Sequence, residues 1–183
     1  MIQVVKNALP KSLCEYLTIN MEMLMHLANY PEDKWTKNST GYYAPIFLES
    51  LLLYLQPLIE KKVKKSLYPT YSYGRIYYKN SSLEKHTDRP SGEYGVTCCI
   101  KKDIDWPIYF ELDDKQIVSH ELNVGDICIY EGIKYPHWRE TYYGQKQIQV
   151  FLMYVDMDGN FFEWKWDKRA GLCHECTVSP PGT

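Results

Sequence analysis

The sequence predicts an α+β fold, in which a helical first third supports antiparallel strands that close into a sandwich or barrel. Three observations lead there. Apolar residues recur at helical spacing up to about residue 66, the pattern then switches to short β-rich runs, and no internal repeat breaks the order. A chain of 183 residues suits one globular domain with its own core. Its expected parts are helical support at about 10–66, a β core at about 71–166 and a loop-like tail at 171–183.

In "PKSLCEYLTINMEMLMHLANY", Leu13, Leu17, Met21, Leu24 and Ala28 form one apolar stripe. Ser12 with Glu15 reads as a capping box, and Tyr30-Pro31 as a stop. "PIFLESLLLYLQPLIEKKVKK" repeats the pattern through Leu48, Leu51, Leu52, Leu55, Ile59 and Val63, with Pro57 expected to kink or split it. The basic run at 61–65 reads as a solvated helix face.

"SYGRIYY", "GVTCCIK", "PIYFEL", "QIVSHEL", "DICIYEG" and "KQIQVFLMYVD" are short, rich in β-branched and aromatic residues, and separated by turn formers. "LDDKQ" reads as a hairpin turn. Helices followed by a run of strands imply an α+β fold with the helices bracing one face of a sandwich or barrel.

Hydrophobic residues make up 45% and charged residues 24%, which excludes a disordered chain and a membrane-spanning one. A formal charge of −2 gives no electrostatic case for nucleic acid. The N-terminus lacks the pattern of a signal peptide, so a soluble, cytoplasmic protein with no membrane partner is expected. Cys98, Cys99 and Cys128 lie in apolar runs and read as buried, reduced thiols. "CHEC", Cys173 to Cys176, has CxxC spacing but lacks the second half of a zinc site.

The chemistry concentrates at "LEKHTD". In a strand, residues two apart share a face, so His86 and Asp88 are placed to grip one ion. A third ligand must come from elsewhere. His26 lies in the first helix, His174 in the tail and His120 at the polar end of a strand, whereas His137 follows a strand and a turn, the setting of a rim ligand. Two histidines and one carboxylate cover one face of an octahedral ion and leave the other open, which suits ferrous iron more than zinc.

Here the chain resembles the iron(II)- and 2-oxoglutarate-dependent oxygenases, particularly the prolyl-4-hydroxylase-like branch. The resemblance runs from about Tyr71 to Asp156, through "YYKNSSLEKHTD", "GDICIYEG" and "HWRETYYGQKQIQVFLMYVD". It departs at Asn80, where the family usually has Gly, and at Trp106-Pro107, which replaces the usual Gly-Gly. The fold it implies is a double-stranded β-helix (a jelly-roll or cupin-like barrel) braced by N-terminal helices. His86, Asp88 and His137 would then be the catalytic metal ligands, with iron(II), 2-oxoglutarate and oxygen as cofactor and co-substrates and ascorbate as accessory reductant.

The family usually places an Arg or Lys on the strand after the distal histidine, about nine or ten residues on, to hold the remote carboxylate of 2-oxoglutarate. Lys146 falls in that window and would share a face with Ile148, Val150 and Leu152. Arg139, two residues past His137, and Lys101 are rivals; each of the three cations also reads as a solvated strand-end charge. Tyr77 stands nine residues before His86, where the family has a tyrosine that contacts the co-substrate. Thr97 and Tyr130 are further cavity candidates, and Arg89, Trp106, Trp138 and Arg139 are candidates for the rim.

The implied reaction is hydroxylation of a C–H bond, coupled to decarboxylation of 2-oxoglutarate to succinate and carbon dioxide. The expected partner is a peptide or small-molecule substrate, peptidyl or free amino acid, with proline weakly favoured; the oligomeric state is open. Two other readings stand beside it: a cupin-like metal enzyme that does not use 2-oxoglutarate, and a barrel that binds a ligand without turnover.

Overall fold

The structure, a computed structural model, describes residues 1–27 and 36–173. Strand β1 (Ile2–Val5) precedes helix α1 (Lys11–Leu27), then β2 (Ser39–Tyr43) and helix α2 (Ile46–Val63). Eight strands follow: β3 (Leu67–Tyr78), β4 (Leu83–His86), β5 (Tyr94–Lys101), β6 (Ile108–Glu111), β7 (Ile117–His120), β8 (Ile127–Glu131), β9 (His137–Arg139) and β10 (Lys146–Asp156). Short 3-10 turns lie at Pro90–Gly92 and Phe162–Lys168.

The strands form two antiparallel sheets, one ordered β1-β8-β5-β10-β3-β2 and the other β4-β9-β6-β7. They pack face to face in a jelly-roll-like arrangement. All six expected strands are present. Strands β1 and β2 were not anticipated; "IQVV" is too short, and "STGYY" too short and too polar at its start, to show a period.

The apolar stripes of both helices pack on the outer face of the large sheet. Leu17 and Met21 of α1 and Leu48, Leu52, Leu55 and Ile59 of α2 join Ile76, Val96, Ile148, Val150 and Leu152 in one core. Full burial of each such side chain stabilises by about 1.5–3 kcal/mol, so this seam holds the sheet flat against its support. Pro57 does not split α2, which runs unbroken to Val63 and ends on Lys64 in the left-handed region. The capping box is not realised: α1 starts at Lys11, so Ser12 already lies in its first turn, and Pro10 O accepts from the amides of Leu13 and Cys14. The stop at Tyr30-Pro31 and the CxxC pair's second half fall outside the described residues.

The opposite face of the large sheet looks into the sandwich. There Tyr71, Tyr77, Trp106, Tyr142, Phe151 and Met153 form one cluster, and Cys99, Phe110, Cys128 and Tyr130 with Ile108 and Leu122 form another. Cys14, Cys98, Cys99 and Cys128 are buried free thiols. Asn80 has φ 69°, so an asparagine adopts the left-handed turn conformation that a glycine would take without strain. No helix among the described residues is long and apolar enough to cross a membrane.

Candidate metal centre

His86 and His137 are direct cross-strand partners, the last residue of β4 facing the first of β9. Their rings lie 4.4 Å apart, centroid to centroid. Asp88 follows two residues after His86, just past the strand end. Its Oδ1 is 3.7 Å from His86 Nε2 and 3.8 Å from His137 Nε2. One ligand atom from each residue lies within 4.8 Å of the other two, and among the described residues this is the cluster of that kind.

Both rings are held the same way. His86 Nδ1 hydrogen-bonds the carbonyl of Glu84 at 2.8 Å, and His137 Nδ1 that of Tyr135 at 3.0 Å. A carbonyl can only accept, so Nδ1 carries the proton and Nε2 presents its lone pair to the centre. Asp88 is fixed through its backbone, whose N–H donates to Gly132 O at 2.9 Å. Gly132 and Gly92 are glycines for reasons of space: a β-carbon at Gly132 would lie 2.1 Å from Asp88 Oδ2, and one at Gly92 2.9 Å from Asp88 Cβ.

The electrostatics ask for a cation. Burial pushes the Asp88 carboxyl up to about 6, against the pull of His86 and Arg89. Burial drives His137 down to about 4, and burial and then His137 lower His86. Asp88 Oδ2 is buried without a hydrogen-bond partner. Two imidazoles kept neutral by burial and a desolvated carboxylate face one another, which is the donor set of a divalent transition metal with open positions. These residues fit such an ion.

A cavity of about 340 Å³ opens onto the three side chains; its walls include Tyr43, Tyr71, Arg75, Arg89, Tyr130 and Met153. The guanidinium of Arg89 donates to both oxygens of Asp167 at 2.6 and 2.7 Å and lies over the Tyr71 ring. Tyr43 donates to the same carboxylate at 2.5 Å, so the turn at Phe162–Lys168 ties two wall residues together.

The predicted anchors separate. Lys146 does share a face with Ile148, Val150 and Leu152, but that face is turned to α1, not to the cavity. Its Nζ is 2.7 Å from Glu22 Oε1, and Lys101 Nζ is 3.0 Å from the same atom. Neither lysine reaches the interior; the sequence showed the alternation of β10 and not which side the helices cover. The inward positions of β10 carry Gln147, Gln149, Phe151 and Met153.

Arg139 shares the inward face of β9 with His137. It is 2% exposed, donates through Nη1 to Trp106 O, and stacks at 4.9 Å over the Trp106 ring. Its Nε and Nη2 have no partner. Burial lowers its pKa, and its neighbours Tyr77, Cys99, Tyr130 and Cys128 include no carboxylate. Tyr77 is fully buried against the Trp106 edge at 4.8 Å.

Of the remaining candidates, Tyr130 lines the cavity and Thr97 lies buried, donating to Gln149 Oε1 at 3.2 Å. Trp106 is interior, while Trp138 stacks on Tyr109 at 5.5 Å, the two standing side by side on paired strands. Trp138 is therefore not a rim residue; it alternates with His137 and Arg139 and must point the other way. Tyr71 and Met153 line the cavity and were not anticipated.

No protein-family model matches the chain, and no curated protein matches it. Solved structures do. A prolyl-4-hydroxylase of Pseudomonas putida is 11% identical with TM-score 0.68, over 85% of this chain and 92% of its own. HygX of Streptomyces hygroscopicus, solved with nickel, 2-oxoglutarate and hygromycin B, is 10% identical with TM-score 0.68, over 86% and 83%. A prolyl hydroxylase of Trichoplax adhaerens, in complex with a hypoxia-inducible-factor peptide, is 10% identical with TM-score 0.64, over 85% and 83%. The fold of the chain is that of the iron(II)- and 2-oxoglutarate-dependent oxygenases, prolyl-4-hydroxylases among them.

Proposed function

We propose that the protein is an iron(II)- and 2-oxoglutarate-dependent dioxygenase on a double-stranded β-helix, hydroxylating a C–H bond of a peptidyl or free amino acid. The observation that carries this reading is the pairing of the His86–Asp88–His137 cluster with an orphaned guanidinium one strand step away. Iron(II), 2-oxoglutarate and oxygen would together supply the oxidising chemistry. His86, Asp88 and His137 would hold the metal through Nε2, a carboxylate oxygen and Nε2 respectively.

Arg139 would receive the remote carboxylate. A buried cation without a counter-ion is costly, and a carboxylate bound by its free Nε and Nη2 would complete it. Two residues along a strand span roughly 6.6 Å, a length that suits a five-carbon dicarboxylate reaching from the metal to Arg139. Tyr77, packed beside Arg139, would border the same carboxylate. Tyr71, Phe151 and Met153 give the cavity an apolar wall beside the cluster. The cavity of about 340 Å³ at the cluster is in the size range of small-molecule sites and suits an amino-acid side chain or a small free molecule.

A metal enzyme indifferent to 2-oxoglutarate, or a non-catalytic barrel, would have no use for Arg139. Anaerobic titration of the iron(II)-loaded protein with 2-oxoglutarate decides among the three: a visible metal-to-ligand charge-transfer band is expected. Its absence, with iron bound, would reject the oxygenase reading.

A further inference from the structure

A segment beyond the last strand completes the wall of the metal cavity without lining it. Asp167, in the turn Phe162–Lys168, accepts from Nη1 and Nη2 of Arg89 at 2.6 and 2.7 Å and from the Tyr43 hydroxyl at 2.5 Å. Arg89 and Tyr43 are wall residues of the cavity. The Asp167 side chain is 7% accessible and that of Arg89 44%, so the acid is enclosed by its partners while the cation stays within reach of a ligand.

The contacts continue along the wall. Arg89 lies over the Tyr71 ring at 4.4 Å, Tyr71 stacks on Tyr43 at 5.6 Å, and Arg169 lies over the Tyr43 ring at 5.3 Å. Arg169 is itself held by Glu49 Oε1 at 2.5 Å and the carbonyl of Thr70 at 3.0 Å. The backbone bends to bring Asp167 here. Trp166, Asp167 and Lys168 have φ of 54°, 57° and 61°, three left-handed residues in a row with no glycine among them. Side-chain-bearing residues adopt that region at a cost, and such a run persists only where its surroundings fix it. Asp167 with Arg89 and Arg169 with Glu49 are the fixing contacts.

The consequence is one of charge. A guanidinium in a cavity wall is a natural receptor for an oxyanion, because its planar fork matches two oxygens. On Arg89 that fork is already filled by a carboxylate of the same chain. The cavity therefore meets a neutralised pair on this side, together with the rings of Tyr43 and Tyr71. We propose that Asp167 is a positioning residue that sets substrate specificity: by occupying Arg89 it fixes the aromatic wall and makes the cavity select an uncharged group over an anionic one. The inference rests on the oxygenase reading above and adds the charge class of the group that approaches the metal.

The test uses two small probes of similar shape, methanesulfonate, which is anionic, and dimethyl sulfone, which is neutral. Each is titrated anaerobically into iron(II)-loaded protein with 2-oxoglutarate, followed by calorimetry and by the charge-transfer band. Wild type should bind methanesulfonate no more tightly than dimethyl sulfone. Asp167→Asn keeps the size, suits a left-handed backbone and frees the Arg89 fork; it should bind methanesulfonate roughly tenfold or more tighter than wild type, with dimethyl sulfone unchanged. Adding Arg89→Met should abolish the gain, which a merely loosened turn would not lose. Arg75, the other guanidinium in the wall, is the competing receptor, so a tenfold wild-type preference for methanesulfonate overturns the proposal, and needs no variant to fold. An unchanged probe ratio in Asp167→Asn, or a gain that survives Arg89→Met, overturns it as well. The calorimetric comparison stands without the band, so a missing band with these ratios as expected would count against the oxygenase reading and not against the role of Asp167.

Discussion

Gly132 lies against Asp88 so closely that a β-carbon on the glycine would stand 2.1 Å from the carboxylate oxygen Oδ2 and 2.5 Å from the carbonyl of Gly92. The same glycine accepts the Asp88 N–H through its own carbonyl. It therefore sets both the backbone and the side chain of the cluster's one carboxylate. Because the obstructing atoms include backbone, no rotamer change relieves a methyl group there. Gly132→Ala should cost about 1–3 kcal/mol of stability by overpacking and weaken divalent-metal binding at least tenfold. Calorimetric metal titration beside a urea melt checks both; wild-type affinity in the variant would show that Asp88 does not need this support.

Metal should stabilise the fold by mass action. At a free metal concentration one hundred times Kd, binding to the native state alone adds about 2.7 kcal/mol. Melting of wild-type protein with manganese(II) or cobalt(II) should shift upwards, and a chelator should reverse it. His137→Ala should abolish the shift. His86→Ala should reduce it, since His86 is the more exposed ligand, with 40% of its side chain accessible against 2% for His137. Equal shifts in all three proteins would place the ion elsewhere.

The His86–Asp88–His137 cluster was legible because its information is local: His-x-Asp at the end of a strand and a histidine opening a later one need only period and order. The ranking of the candidate cations Lys146, Arg139 and Lys101 was not legible, for a physical reason. Alternation along β10 separates Lys146, Ile148, Val150 and Leu152 from Gln147, Gln149, Phe151 and Met153, but both sets contain apolar residues because the strand is buried on both faces. Which set faces the ligand depends on where α1 and α2 dock, and that is decided by the helices' stripes, not by the strand. Pro57 is a second case. The sequence marks it as a breaker, yet the flanking Leu55 and Ile59 are wholly inside the core, and their burial outweighs the lost hydrogen bond.

Arg139 and Lys146 make a contrast that a pair of variants resolves. Arg139 is a buried cation with two unused nitrogens, so Arg139→Met exchanges desolvated charge for apolar volume at the loss of the bond to Trp106 O. The ligand-free variant should be as stable as wild type or more so by about 1–3 kcal/mol, while 2-oxoglutarate binding is lost. Lys146→Ala removes only a half-exposed pair with Glu22, which Lys101 still occupies. Its stability should change by less than about 1 kcal/mol and its co-substrate affinity not at all. Urea melts with anaerobic titration of each variant read both quantities; loss of 2-oxoglutarate binding in Lys146→Ala would reverse the assignment.

Acid should release the N-terminal strand through Asp126. Burial pushes that carboxyl up, but the amide of Asn7, the ammonium of Lys6 and the amide of Asn123 pull further the other way, so its pKa is lowered. The bonds run from Asn7 N to Oδ1 at 2.8 Å, and from Lys6 Nζ and Asn123 N to Oδ2 at 2.9 Å each. A folded-state pKa below the unfolded value of about 3.9 means that the contribution is complete above that value and disappears as pH falls through the folded one. Since Asp126 precedes β8 and Lys6 and Asn7 follow β1, its protonation loosens the β1–β8 edge before the central strands. Stability should therefore fall as pH drops below about 4 in wild type, and amide exchange at Ile2–Val5 should accelerate first. Asp126→Asn keeps an acceptor without the charge; it should be less stable near neutral pH and show a shallower acid limb. An acid limb of unchanged slope in that variant would locate the titrating group at another carboxylate.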